Sequence, residues 1–181
     1  MSFDKNAYNI YYYANKTKKQ NQLKKKQMDY GLKQEQLAIP IINAYFNDNV
    51  IKTDNKFHKL DFVGLKSSYV YELKSNMCSI YTKYPNGSVC VIDSKKIKSY
   101  EGIKNLLIIF SFIEKDTTDY YYIYYDEEQF KTFNKRTIYL KRGYNNEVVD
   151  IPIENLTYMD LQKPIDISGK EFYVPYIKPN P

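Results

Sequence analysis

The chain has 181 residues, of which 43% are hydrophobic and 27% charged, with a formal net charge of +6. That length accommodates one domain with a sizeable core, and the composition is that of a soluble globular protein. No stretch approaches the ~20 apolar residues of a membrane span, and the N-terminus MSFDKNAYNI lacks an apolar signal region. Two cysteines (Cys78 and Cys90) and one histidine (His58) fall short of the about four Cys/His ligands of a structural zinc site. An intracellular protein, cytoplasmic or nuclear and not secreted, with reduced thiols and no membrane partner is expected.

The charge is unevenly placed. Residues 1–34 hold eight lysines against Asp4 and Asp29, a surplus of six that equals the net charge of the whole chain. Residues 1–26, with the run YNIYYYANKTKKQNQLKKK, contain few aliphatic residues and read as a basic arm or an exposed helix. One reading is a solvated, lysine-rich terminus. The other is a phosphate-contacting arm, in which Lys16, Lys18, Lys19, Lys24, Lys25 and Lys26 displace counterions and the interleaved tyrosines stack on bases. The remainder, residues 27–181, is expected to form a single domain with its core in about 27–125 and a C-terminal elaboration in 126–181.

Residues 27–47 carry helical periodicity: Met28, Leu32, Ile39, Ile42 and Phe46 fall on one face, broadened by Leu37, Ile41 and Tyr45. Pro40 is expected to kink or break that helix. Glu35 occupies a position in the stripe itself, where a charge needs a partner or a metal; the alternative is a slightly rotated helix with Glu35 at its edge. Strands follow at Val50–Thr53, His58–Leu65 and Tyr69–Lys74. A Tyr84-Pro85-Asn86-Gly87 turn leads into Ser88–Ile92, and Asp93-Ser94 caps a helix reaching about Lys104. Leu106–Ile113 and Tyr120–Tyr125 read as strands joined by a turn at Asp116–Asp119. Glu127–Phe133 reads as a short helix, and Thr137–Lys141 and Val148–Ile153 as late strands. The order is an α/β pattern.

Side chains alternate along strands. Asp61 therefore shares a face with Lys59, Val63 and Leu65, and Glu72 and Lys74 share one with Val70. Leu60 and Phe62 fall on the opposite face. A hairpin centred between Lys66 and Ser67 pairs 65 with 68, 63 with 70 and 61 with 72, although Lys66-Ser67 is not the Asn-Gly chemistry that favours tight hairpins. In that register Asp61 stands opposite Glu72, ~5 Å away, and Lys59 opposite Lys74. A divalent cation such as Mg²⁺ or Mn²⁺ relieves two facing carboxylates, and a neighbouring lysine then orients water or neutralises charge on a phosphate. The competing reading is a surface salt-bridge ladder of Asp61, Glu72, Lys59 and Lys74. His58 shares a face with Leu60, away from Asp61, which argues against a general-base role.

Asp61, ten intervening residues, then Glu72-Leu73-Lys74, preceded by a helix bearing Glu35 and followed by a helix and a strand, resembles the PD-(D/E)xK nuclease superfamily. The resemblance covers roughly residues 27–125; Leu60 stands where many members have proline. It implies the restriction-endonuclease-like (Holliday-junction-resolvase-like) αβββαβ core, a mixed central sheet flanked by helices. It further implies that Asp61, Glu72 and the Leu73 carbonyl ligate Mg²⁺ or Mn²⁺, that Lys74 positions the attacking water, and that Glu35 is an auxiliary ligand or holds a metal-bound water. The implied reaction is hydrolysis of a nucleic-acid phosphodiester, most readily DNA, leaving a 5′-phosphate. In similar enzymes the helix after the ExK strand often turns a polar residue to the site, a part open to Lys95 or Lys96; an exposed basic helix contacting nucleic acid is the alternative. Nucleases of this type that cut both strands are often dimers, so a homodimer is among the expected partners. An RNA-processing nuclease, or a nucleic-acid-binding protein that keeps the fold with little or no catalysis, are the alternatives.

Overall fold

A computed structural model describes residues 5–53, 60–76, 89–139 and 145–167. The chain divides into two compact units, Met1–Ala38 and Ile39–Pro181. Helix α1 (Lys5–Phe46) spans the division.

In the first unit α1 is helical throughout its described length, and Lys24, Lys25 and Lys26 are exposed on it. The apolar stripe differs from the sequence expectation. Met28 is 63% exposed and Leu32 and Leu37 are also exposed, whereas Gln34 and Ala38 are buried. The buried line is thus displaced by one residue from the one containing Glu35, which is half-buried. In a segment this polar, isolated Met and Leu side chains fix the rotation of a helix weakly.

The second unit begins with the last turns of α1. Pro40 does not end the helix, which continues to Phe46. Proline removes one N–H donor, and burial of Ile42, Tyr45 and Phe46 offsets that loss. Asn47 (φ 49°) then takes the left-handed position that terminates helices.

Among the described residues nine strands form two sheets. The larger has the order β1 (Val50–Lys52), β2 (Phe62–Gly64), β3 (Val70–Asn76), β5 (Leu106–Glu114), β6 (Thr117–Tyr124) and β9 (Thr157–Tyr158). The smaller has the order β4 (Val89–Asp93), β8 (Asn145–Pro152) and β7 (Lys135–Tyr139). Within the large sheet β1, β2 and β3 are antiparallel neighbours, β3 and β5 are parallel, and β5–β6 is an antiparallel hairpin. The parallel step requires a crossover, which contains β4 and helix α2 (Ser94–Lys98). A further short helix, α3 (Glu127–Thr132), follows β6. The chain is therefore α/β with a mixed sheet; β4, which joins the second sheet, is an addition to a plain αβββαβ order.

Strand β5 is central, and its run LLIIFSF is buried throughout, as expected of a strand covered on both faces. Ile108, Phe110 and Phe112 share a core with Cys90, Ile92 and Ile151 of the small sheet, and with Tyr100 and Phe130. Leu107 and Ile109 face the other way. On that side Phe46 packs edge-on to Tyr122 at 5.2 Å and against Tyr71 at 5.9 Å. Ser111, the one polar residue in the run, is satisfied across the parallel register by Ser75, Oγ to Oγ 2.9 Å. The β5–β6 hairpin turns earlier than the sequence suggests: Glu114 pairs with Thr117, and Lys115 (φ 53°) supplies the positive φ of the two-residue loop. Helix α2 is also shorter than expected. Asp93 caps it by accepting from the Lys95 N–H at 2.7 Å, but it ends at Lys98, and the chain turns through Tyr100 to Gly102 (φ 77°).

Candidate active site

The β2–β3 hairpin adopts the register read from the sequence: Phe62 pairs with Tyr71 and Val63 with Val70. What holds it is not the turn residues themselves. Asp48, buried just after α1, reaches over the turn. Its Oδ1 accepts from the N–H groups of Asn49 (2.7 Å), Lys66 (3.0 Å) and Ser67 (3.2 Å). Its Oδ2 accepts from the Ser67 hydroxyl and from the Tyr71 hydroxyl at 2.6 Å. Burial alone raises a carboxyl pKa, but these donors more than compensate, and the Asp48 pKa lies below the ordinary value. Gly64 completes the clamp. A Cβ there would clash with Asp48 Oδ2 and come within 2.6 Å of Ser67 Oγ, so only glycine lets the chain pass this close.

One residue beyond Phe62 the ladder slips. The Asp61 N–H donates to the Tyr71 carbonyl at 3.1 Å, so two successive residues stand against one on β3, the pattern of a β-bulge. This corrects the expectation that Asp61 lies squarely opposite Glu72. It also corrects the placing of Leu60 on the Phe62 face, because Leu60 packs in the core shared by Cys90, Ile108 and Tyr100. The bulge re-aims Asp61. Its Oδ2 accepts the Leu73 N–H at 2.8 Å, taking the position of a ladder carbonyl. In a strand, a residue's N–H and C=O point to the same side, so the Leu73 carbonyl is turned toward the β2 side as well.

Glu72 and Lys74 lie on the face of β3 that carries Val70, as alternation requires. Their partners on β5 are Ile108 and Phe110, both members of the core. Glu72 is only 2% exposed. Its Oε1 receives the Lys74 ammonium and, from α2, the Lys96 ammonium at 3.0 Å. Its Oε2 is buried and makes no hydrogen bond to a described residue. Part of the salt-bridge reading is therefore present in the Glu72–Lys74 pair, but the second cation is Lys96. Lys59 and His58 lie outside the described residues, as do Cys78 and the turn at residues 84–87.

One residue of the cluster, Tyr100, was not singled out from the sequence. Lys96 is one of two lysines considered for the site, and it is the one whose ammonium reaches Glu72; Lys95 is exposed. Tyr100, one turn further on, was not considered at all. It is fully buried, with the Lys96 Nζ 5.8 Å from its ring centroid. Burial raises its pKa, and the charges of Glu72 and Asp61 raise it further, so the hydroxyl stays protonated. It lies against the Glu72 carboxylate, but neither its oxygen nor Glu72 Oε2 completes a well-formed hydrogen bond with any described atom. The signal that could have found it is the i, i+4 relation to Lys96, which puts both on one side of the segment.

Of the other residues singled out, Glu35 lies on α1 in the Met1–Ala38 unit, as do Lys16, Lys18, Lys19, Lys24, Lys25 and Lys26. Among the described residues no group of three or more His, Cys, Asp or Glu side chains comes together, and no helix is long and apolar enough to cross a membrane. The donors that are present fit a hard divalent cation. Asp61, just before β2, and Glu72, on β3, are oxygen donors, and a buried carboxylate oxygen without a hydrogen-bond donor is the kind of ligand such an ion takes. No protein-family model matches the chain, and neither does any curated protein sequence.

Proposed function

We propose that this protein is a metal-dependent nuclease of the PD-(D/E)xK type, hydrolysing phosphodiester bonds in DNA. The observation that carries the reading is the Glu72 carboxylate. It is buried, it lies on the strand adjoining Asp61, two ammonium groups hold one of its oxygens, and the other oxygen lacks a donor. The order of strands supports it too: three antiparallel neighbours after a helix, then a crossover to a parallel strand beside β3, as in a restriction-endonuclease-like core.

In this reading Asp61, Glu72 and the Leu73 carbonyl would hold Mg²⁺ or Mn²⁺. When bound there, such an ion would supply Lewis acidity toward phosphate and water. Lys74 orients the attacking water, and its charge, with that of Lys96, opposes the negative charge that builds on the phosphate oxygens. The exposed lysines of α1, with Lys95, contact backbone phosphates. An intracellular compartment, cytoplasmic or nuclear, and a homodimer that cuts both strands belong to the same proposal.

A second reading, a nucleic-acid-binding protein with a nuclease-like fold and little or no catalysis, is favoured by the absence of a third acidic group beside Asp61 and Glu72 among the described residues. An RNA-processing nuclease shares the same site chemistry. The test is cleavage of plasmid, linear duplex, branched DNA and RNA, with and without Mg²⁺ or Mn²⁺, by the wild type, Lys74→Ala and Asp61→Asn. Metal-dependent cleavage of DNA lost in both variants is the expected result. Cleavage that persists in both, or without metal, overturns the site. Binding without cleavage of any substrate supports the second reading.

A further inference from the structure

We propose that Tyr100 is a positioning residue of this site, its hydroxyl acting as the donor that orients the second oxygen of Glu72 for a divalent cation. The proposal rests on the metal-dependent reading above. Its starting point is a pair of complementary buried atoms. Glu72 Oε2 is an acceptor and the Tyr100 hydroxyl a donor, each is buried, and neither has a well-formed hydrogen bond among the described residues. Buried polar groups left unmade are rare in folded proteins. Here an acceptor and a donor of opposite character are left over in one cluster, joined through the Lys96 ammonium that holds Glu72 Oε1 and lies over the Tyr100 ring.

The surroundings make Tyr100 a rigid donor. Its N–H donates to the Ile97 carbonyl and its own carbonyl accepts from Ile103, both at 2.9 Å. Its ring stands edge-on to Tyr125 at 5.6 Å. The Lys96 ammonium, which holds Glu72 Oε1, lies 5.8 Å from the same ring. Lys96 thus touches both residues: its ammonium takes Glu72 Oε1 and lies over the Tyr100 ring, which places Tyr100 in the same buried cluster as the carboxylate. Partners of metal ligands act in this way, fixing the ligand's orientation and electron density without touching the ion.

The test uses Tyr100→Phe in the full chain, which keeps the ring and removes only the hydroxyl. Mn²⁺ affinity is measured by titration calorimetry, alongside thermal stability and Mg²⁺-dependent cleavage, with Asp61→Asn as the control. A positioning role predicts Mn²⁺ binding weakened ~10-fold or more, the range for lost partners of metal ligands. Tm is unchanged or higher, the DNA KM is unchanged, and cleavage is recovered at high Mg²⁺. Unchanged Mn²⁺ affinity in Tyr100→Phe, while Asp61→Asn loses it, overturns the proposal and leaves the nuclease reading standing. Affinity lost only in step with a fall in Tm marks a structural role and also overturns it. Equal Mn²⁺ affinity in wild type and Asp61→Asn overturns the metal site and the proposal together.

Discussion

Replacing Asp48 with alanine removes the acceptor for five hydrogen bonds at the β2–β3 turn. The Asn49 and Lys66 N–H groups belong to exposed residues and can turn to water. The Ser67 N–H and hydroxyl and the Tyr71 hydroxyl are buried, and the nearest substitute is the Ser67–Tyr71 oxygen contact at 3.5 Å. At ~1–3 kcal/mol for each buried group left unmade, with part of that recovered by relaxation, Asp48→Ala should cost about 3–5 kcal/mol. For a chain of this size that corresponds to a Tm lower by roughly 10 °C. Asp48→Asn keeps Oδ1 for the three N–H groups, and the two hydroxyls can reverse to accept from its amide, so it should cost about 1–2 kcal/mol. Urea denaturation of the three proteins, monitored by tyrosine fluorescence, measures both. The order alanine worse than asparagine worse than wild type is required, and Asp48→Ala within 1 kcal/mol of wild type would refute the claim that this carboxylate holds the turn.

The remaining expectations concern the same hairpin, its pH dependence and the basic helix. Gly64→Ala should destabilise by ~1–3 kcal/mol through overpacking, and in a double-mutant cycle with Asp48→Ala the double variant should cost less than the two single costs added, because removing Asp48 removes the nearest of the close contacts; strict additivity in denaturation would contradict the contact. Because the Asp48 pKa is lowered in the folded state, its stabilisation is present above the unfolded-state value of about 4 and is lost as pH falls through the folded value. Wild type should therefore lose stability more steeply than Asp48→Asn in acid titrations below about pH 4, and parallel curves would count against the assignment. Lys24, Lys25 and Lys26, exposed on α1, should together account for about three units of the log affinity against log salt slope for DNA. A triple alanine variant with an unchanged slope removes α1 from the nucleic-acid interface.

Strand parity in short amphipathic runs was legible in the sequence. Phe62 pairs with Tyr71 because the apolar residues on one side of HKLDFVGL match those of YVYELK in a single register, and that register was recoverable without good turn residues. What was not legible is why the turn forms. Asp48 lies nineteen residues before Ser67, and nothing local marks it as the acceptor for that loop. The slip at Asp61 was hidden for a related reason: a bulge changes pairing by one residue without changing composition. The helical stripe failed where the sequence is least apolar, since Met28 and Leu32 carry the periodicity but stay exposed. Tyr100 was overlooked although its i, i+4 spacing from Lys96 pointed to it; α2 stops at Lys98, and the turn beyond it keeps the ring beside the Lys96 ammonium.

The charges at the site explain how one cluster accommodates both the salt-bridge and the metal readings. Asp61 and Glu72 carry two negative charges, and Lys74 and Lys96 carry two positive ones, so the group as it stands is balanced. A buried carboxylate with 2% exposure is costly unless paired, and the two lysines supply that pairing from two different elements, β3 and α2. The hairpin can therefore fold without an ion, and nothing in the ion pairs alone distinguishes a structural from a catalytic cluster. The distinction lies in what the lysines leave over. Both converge on Oε1, although spreading them over both oxygens would satisfy a purely structural carboxylate better. Under the proposed function, a divalent ion at the remaining oxygen turns a neutral group into one with a net charge of about +2, the sign and size suited to a phosphate gaining negative charge during attack. It follows that Mg²⁺ or Mn²⁺ should stabilise the protein only by mass action, with Tm rising gradually with concentration in wild type and not in Asp61→Asn. A protein that needs the ion to fold at all would show that the lysines do not neutralise Glu72 as described.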